Sequence, residues 1–167
     1  EVFGASDAKI DAELISITDS LWKSLKINAQ LEINSLGSSE SRKSYRKILT
    51  NYFNENKNKL DDDSLRRLSS NPLRILDSKN KDLESLISKA PKMIDYLDDE
   101  SLNHFNALKK HLECLDIPYT VNSKLVRGLD YYNKTVFEWV SNDLGSQGTI
   151  CGGGRYDSLV EKMGGNP

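Results

Sequence analysis

Cysteine is scarce in this chain of 167 residues. Cys114 and Cys151 are too far apart to form a CxxC unit. Their spacing argues against a structural zinc site and a disulfide framework, and reducing cytosol is the default compartment. Long apolar runs are missing as well. None approaches the roughly 20 residues needed to span a bilayer, and no signal-peptide pattern opens the chain. Neither charge dominates, with 23 basic residues against 25 acidic ones and a net charge of −2. The molecule as a whole is therefore no electrostatic magnet for nucleic acid, although a local basic face fits that balance. There is no GxGxxG, no Lys-Ser/Thr at P-loop spacing behind a glycine-rich loop, no internal repeat and no low-complexity tract. An initiating Met is absent too. The chain opens Glu1-Val2-Phe3-Gly4 and closes Gly164-Gly165-Asn166-Pro167, so we expect both ends to be cuts in a longer protein.

What is present suits a globular protein with a wet surface and a modest core, at 37% hydrophobic and 29% charged residues. Ile10, Leu14, Ile17, Leu21 and Leu25 recur at spacings of three and four, which predicts an amphipathic helix over 7–26 with Asp7 as its N-cap. Leu31 and Ile33 then set a two-residue period, a short strand that ends at Gly37. Tyr45, Ile48, Leu49, Tyr52 and Phe53 return to helical spacing behind a Ser39 cap. Short helices follow, broken at Asn71-Pro72 and Ala90-Pro91. A second long helix is predicted over 98–115, with Leu102, Phe105, Leu108, Leu112 and Leu115 on one face and Asp98 or Asp99 as its cap. Thr135 to Val140 alternate as a strand, 143–146 read as a turn, and Gly148 to Cys151 as a returning strand. Gly152-Gly153-Gly154 are expected to break that strand, with a helix from Arg155 to Met163. The pattern is α+β: sheet segments over 1–37 and 123–167, with a helical block over 38–122 inserted between them.

The segment "LVRGLDYYNKTVFEW", residues 125–139, holds the densest chemistry. A permanently charged guanidinium at Arg127 suits a carboxylate or phosphate, and Tyr131 and Tyr132 supply ring wall and hydroxyls for a small anionic ligand. A turn in which Arg127 pairs with Asp130 fits the same residues. "GGGRYD", residues 152–157, admits close approach of backbone or ligand through Gly152, Gly153 and Gly154. A plain bend between strand and helix is the simpler account of it. Eight basic residues within 42–67, among them Arg42, Lys43 and Arg46, face four acidic ones, as an RNA-tracking face or as a solvated helix surface. His104 and His111 lack metal-ligand neighbours and read as surface residues. Cys151 reads as a small strand residue.

"LVRGLDYYNKTVFEW" followed by "SQGTICGGGRYD" and "GGGRYDSLV" resembles, in order and spacing, the two signature motifs of histidyl-tRNA synthetases, which are class II aminoacyl-tRNA synthetases. "EVFG" with "DAELI" resembles the stretch after motif 2, and "NSLGS", "NPLRILDSK" and "YLDDES" resemble the bacterial insertion domain, so the resemblance runs the full chain. It implies part of an antiparallel-sheet catalytic core interrupted by a helical insertion, in a cytoplasmic, homodimeric ligase that activates histidine with ATP and Mg2+ and transfers it to tRNA(His). By the same resemblance, Arg127 would face the histidine carboxylate and the α-phosphate and act catalytically. Tyr132 and Glu1 would read the two imidazole nitrogens. Tyr131, Tyr156, Gly152 and Gly153 would line the pocket, with Gly154 beside them, and Asp130 would be scaffold. The insertion would reach the tRNA acceptor arm. No protein-bound metal site is implied. Motif 1, the motif 2 and motif 3 arginines and the anticodon-binding domain find no match, so the chain alone is expected to be inactive. The alternative is a non-catalytic relative that binds histidine or tRNA.

Overall fold

The computed structural model describes residues 1–144 and 148–166. Asp7 is extended, and its carboxylate accepts from the Lys9 N–H at 2.7 Å, which caps helix α1 (Ala8–Ser24). The predicted apolar stripe of this helix does not face the core as a whole. Ala8, Ala12 and Ile15 are buried, whereas Ile17 is 59% exposed, Leu21 47% and Leu25 56%. The two alanines let α1 come close to the bulkier Phe105, Leu108 and Leu112 of helix α5 (Asp99–Cys114), and that close packing sets the rotation of α1.

Four strands form one sheet in the order β2-β1-β3-β4. They are β1 (Gln30–Ser35), β2 (Tyr119–Val121), β3 (Asn133–Val140) and β4 (Thr149–Arg155). β3 is antiparallel to both neighbours, and β2 runs parallel to β1 with Leu31 opposite Tyr119. The sheet is therefore mixed, not purely antiparallel: the long connection from β1 to β2 is a helical crossover, which returns the chain in the same direction. Leu31, Ile33, Phe137 and Trp139 point to the face covered by α1 and α5. Alternation sends Glu32, Asn34, Val136 and Glu138 to the other face.

Helices α2 (Ser39–Glu55), α3 (Asp62–Ser70) and α4 (Glu84–Ser88), with short 3₁₀ turns between them, enclose a second core around Tyr45, Leu49, Phe53, Ile75 and Leu83. The cap of α2 is Ser38, one residue before the expected Ser39, with its hydroxyl accepting from the Ser41 N–H at 3.1 Å. Asp98 caps α5 by accepting from the Ser101 N–H at 2.8 Å. Residues 99–121, which the sequence pattern groups with the helical block, sit with the sheet: α5 shares the core of α1, and β2 hydrogen-bonds to β1. The second core reaches the sheet through Leu125, Val126 and Val136.

The three glycines do not end β4. The strand runs through all of them to Arg155, with Gly154 opposite Val136 and Gly153 opposite Phe137. The helix expected over 155–163 contracts to α6 (Leu159–Lys162), without a side-chain cap. Of the turn expected at 143–146, Asn142–Leu144 form a 3₁₀ turn, and 145–147 lie outside the described residues. Among the described residues no helix is long and apolar enough to cross a membrane.

Candidate active site

The segment between β2 and β3 crosses the sheet face that α1 and α5 leave open. Two strand residues hold it there. Asn122 donates to Glu32 of β1 at 2.6 Å, and Asn34 donates to the Leu125 carbonyl at 2.9 Å. With Leu125 and Val126 buried, the next residue emerges above β3. Arg127 Nη1 donates to Glu138 Oε1 at 2.6 Å, both side chains being about one-fifth exposed (23% and 20%). The guanidinium carbon lies 5.6 Å from the Tyr132 ring centroid, within cation–π range. The partner of Arg127 is thus Glu138 and not Asp130, which is exposed; the backbone carbonyl of Asp130 accepts from Lys162 at 3.3 Å. Arg127 Nε is buried with no hydrogen-bond partner among the described residues.

Gly152 makes room for this pair. A Cβ there would lie 2.7 Å from Arg127 Nη1 and 3.1 Å from Glu138 Cγ. At Gly154 a Cβ would lie 2.6 Å from the Thr135 carbonyl oxygen and 3.0 Å from Tyr132 Cδ1. Beside the glycines stand three tyrosines. Ring centroids are 4.6 Å apart for Tyr131 and Tyr132, 6.1 Å for Tyr131 and Tyr156, and 6.4 Å for Tyr132 and Tyr156. The Tyr156 hydroxyl is buried near Glu1 and has no hydrogen-bond acceptor in bonding geometry among the described residues. Burial, then the neighbouring Glu1 carboxylate, pushes this phenol up to about 12, so at neutral pH it keeps its proton as a donor. Glu1, Tyr132, Thr135, the glycines and Tyr156 border a cavity of about 690 Å3.

A second group of residues, not anticipated from sequence, holds this cavity's wall. Arg155 of "GGGRYD" is buried, with its side chain 5% exposed. It pairs with Asp11 Oδ1 at 3.1 Å and Asp157 Oδ1 at 2.9 Å, and it donates to the carbonyls of Ala5 and Asp7. His104 is not a surface residue: its Nε2 lies 2.8 Å from Asp11 Oδ2, and its side chain is 8% exposed. Burial alone would raise the Asp11 carboxyl, but the His104 hydrogen bond and the Arg155 charge outweigh it and hold the group below its usual range. This cluster fastens the segment that follows Glu1 to the end of β4, one residue before Tyr156. A charged residue on a strand that otherwise alternates inward is the signal that would have found Glu138. For Asp11 and His104, on two separate helices, no such local signal exists. Burial raises the Cys151 thiol, so it is no activated nucleophile.

The structure thus brings Glu1, Arg127, Tyr131, Tyr132, Tyr156 and Gly152–Gly154 to one place. A family model described as histidyl-tRNA synthetase matches residues 1–167. The chain belongs to that family. It is similar to the histidine–tRNA ligase of Ruthia magnifica subsp. Calyptogena magnifica, at 63% identity over 168 residues, which cover 100% of this chain and 40% of that protein. The histidine–tRNA ligase of Vesicomyosocius okutanii subsp. Calyptogena okutanii is 59% identical over the same shares of both chains. Among solved structures, apo S. aureus histidyl-tRNA synthetase superposes with a TM-score of 0.73 at 35% identity, over 98% of this chain and 40% of that one. The α+β architecture is therefore that of class II histidyl-tRNA synthetases, and the chain spans 40% of the length of these relatives.

Proposed function

We propose that this chain carries the histidine-binding part of a cytoplasmic histidine–tRNA ligase. The observation behind this reading is a glycine-walled cavity bordered by Glu1, Tyr132 and Tyr156, with Arg127 packed against Gly152 and the Tyr132 ring, in a chain of this family. In the first step a carboxylate oxygen of histidine attacks the α-phosphorus of ATP, and pyrophosphate leaves. In the second, a terminal ribose hydroxyl of tRNA(His) attacks the activated carbonyl, and AMP leaves. Arg127 is the catalytic residue: a fixed cation in a half-dry site stabilises charge that builds on the carboxylate and phosphate. Its pairing with Glu138 aims the guanidinium beforehand. Tyr132 and Glu1 take the two imidazole nitrogens, and a site that pairs both rejects analogues lacking one of them. Tyr131 and Tyr156 wall the pocket, while Gly152 and Gly153 let the substrate approach the backbone.

Among the described residues no group of three or more His, Cys, Asp or Glu side chains is placed to hold a metal ion. Mg2+ would arrive on the phosphates of ATP. The tRNA acceptor arm is met by the helical insertion, and the enzyme works as a homodimer. Core segments over 1–37 and 123–167 flank the insertion. Within 38–122, residues 99–121 belong to the core in packing, which leaves 38–98 as the inserted unit. The 167 residues alone do not complete a turnover.

The test is a chimera in which this chain replaces the matching 168 residues of the 63%-identical relative, assayed by histidine-dependent ATP–pyrophosphate exchange. Arg127→Ala is expected to lower exchange by roughly 10²-fold or more. Exchange that persists at the parental rate would remove Arg127 from the chemistry. A chimera that binds histidine without exchange would point to a non-catalytic relative.

A further inference from the structure

We infer that His104 is a positioning residue for recognition of the amino acid: through Asp11 and Arg155 it aligns Glu1 and Tyr156 with Tyr132. The inference deepens the reading above and rests on it for the identity of the ligand. His104 stands on α5 and is not among the residues that border the cavity, whereas Asp11 and Arg155 are. Its Nε2 meets Asp11 Oδ2 at 2.8 Å, with the two side chains 8% and 11% exposed. An ionised carboxylate can only accept, which fixes the proton of His104 on Nε2. Arg155 Nε lies 3.5 Å from the same oxygen, and its Nη2 lies 3.1 Å from Asp11 Oδ1. Arg155 Nη1 goes to Asp157 Oδ1 at 2.9 Å, and the carbonyls of Ala5 and Asp7 accept at 3.2 to 3.3 Å. Every nitrogen of the guanidinium is thus committed. Its plane follows the Asp11 carboxylate, and that carboxylate is fixed in turn by His104.

The contacts of Arg155 lead to the ligand-facing residues by two routes. Residues 1–6 form no helix or strand, and Arg155 anchors them through the Ala5 carbonyl, a short way along the chain from Glu1. On the other side Asp157 accepts from Asn133 Nδ2 at 2.8 Å, and its N–H donates back to Asn133 Oδ1 at 3.0 Å. Tyr156 and Tyr132 are the chain neighbours of that exchange. Stability alone does not call for such a network. Ala8, Ala12 and Ile15 already pack α1 against Phe105, Leu108 and Leu112, and a buried ion pair is often no more stable than apolar residues of similar volume. The network adds direction. Groups that read a small ligand must be held within about 0.5 Å of the productive geometry, and a locked shell behind them does this.

The test uses the same chimera, with KM for histidine and KM for ATP both read from ATP–pyrophosphate exchange. His104→Leu, which removes the donor and keeps an apolar bulk, is expected to raise KM for histidine roughly tenfold. KM for ATP and kcat should stay within about twofold, because one substrate alone loses its alignment. His104→Gln places an amide N–H near the position of Nε2 and should restore most of the affinity. His104→Asn is too short to reach Asp11 and should not. Mere loosening of the fold would lower the active fraction, and with it the rate, at an unchanged KM for histidine. That result would overturn the inference. So would equal KM values for histidine in the Gln and Asn variants at matched melting midpoints, a comparison that decides even where the leucine variant does not fold. A wild-type chimera without histidine-dependent exchange would sink the synthetase reading and the role of His104 with it. Exchange in the wild type with unchanged KM in all three variants would sink His104 alone.

Discussion

Two glycines on the same strand face carry different weights. At Gly154 an added Cβ would meet a backbone oxygen of Thr135 at 2.6 Å and Val136 Cγ1 at 2.9 Å. Paired backbone cannot yield without breaking the β3–β4 ladder. Gly154→Ala is therefore expected to destabilise the fold by about 1–3 kcal/mol, read as a lower urea midpoint with unchanged slope. At Gly152 the nearest atom is Arg127 Nη1 at 2.7 Å, the far end of a long side chain. Gly152→Ala should displace that guanidinium from Glu138 and leave the fold within about 1 kcal/mol of wild type, while histidine affinity falls. Calorimetry beside a urea melt separates the two. Equal stability losses in both variants would refute the distinction.

The α2–α5 junction shows how caps join elements. Asp98 begins α5, accepts from the Ser101 N–H at 2.8 Å and from the Ser41 hydroxyl of α2 at 2.6 Å, and its own N–H donates back to Ser41 at 3.0 Å. The hydroxyls of Ser38 and Ser41, first among its partners, hold the carboxyl well below the usual range. A depressed carboxyl contributes stability that is present above the unfolded value of about 3.9 and is lost as pH falls through the lower folded value. At pH 7 Asp98→Asn should therefore cost on the order of 1 kcal/mol, a gap that narrows as pH drops below about 4. Urea midpoints for both proteins from pH 7 to pH 3 check this, and a constant gap would assign the cost to packing alone. Helix α1 carries a different lesson. Its 3–4 stripe correctly marks a helix, yet the residues that dock are Ala8, Ala12 and Ile15, because small side chains decide where two helices can approach.

Across the whole molecule two cores meet at one strand. Phe137 and Trp139 belong to the core of α1 and α5, and Val136, next to Phe137 on the same strand, belongs to the core of the helical block. The face that presents Glu138 to Arg127 is therefore supported from behind by α5. Phe105, fully buried there, is a direct test: Phe105→Ala should cost about 3–5 kcal/mol and weaken histidine binding although it lies across the sheet from the pocket. Full histidine affinity in a folded Phe105→Ala protein would mean that the pocket stands without that support.

Local chemistry made much of this legible from the sequence. Periodicity marks α1, α2, α5 and β3, since one buried face imposes its spacing on the chain. Asp7 and Asp98 announce helix starts because a short carboxylate satisfies free N–H groups there. The site segment 125–139 stands out because charge and tyrosine hydroxyls beside a strand demand partners. Tertiary structure alone decided what depends on neighbours distant in the chain. It carried β4 through three glycines, since strand pairing and close contact on both faces outweigh glycine's freedom to bend. It paired Arg127 with Glu138, buried His104 against Asp11, and used Arg155 as the clamp on the segment of Glu1. It also returned residues 99–121 to the sheet, where α5 covers apolar surface that the flanking segments by themselves would leave in water. Such choices are set by which distant groups can satisfy one another out of water, and no window of sequence contains both partners.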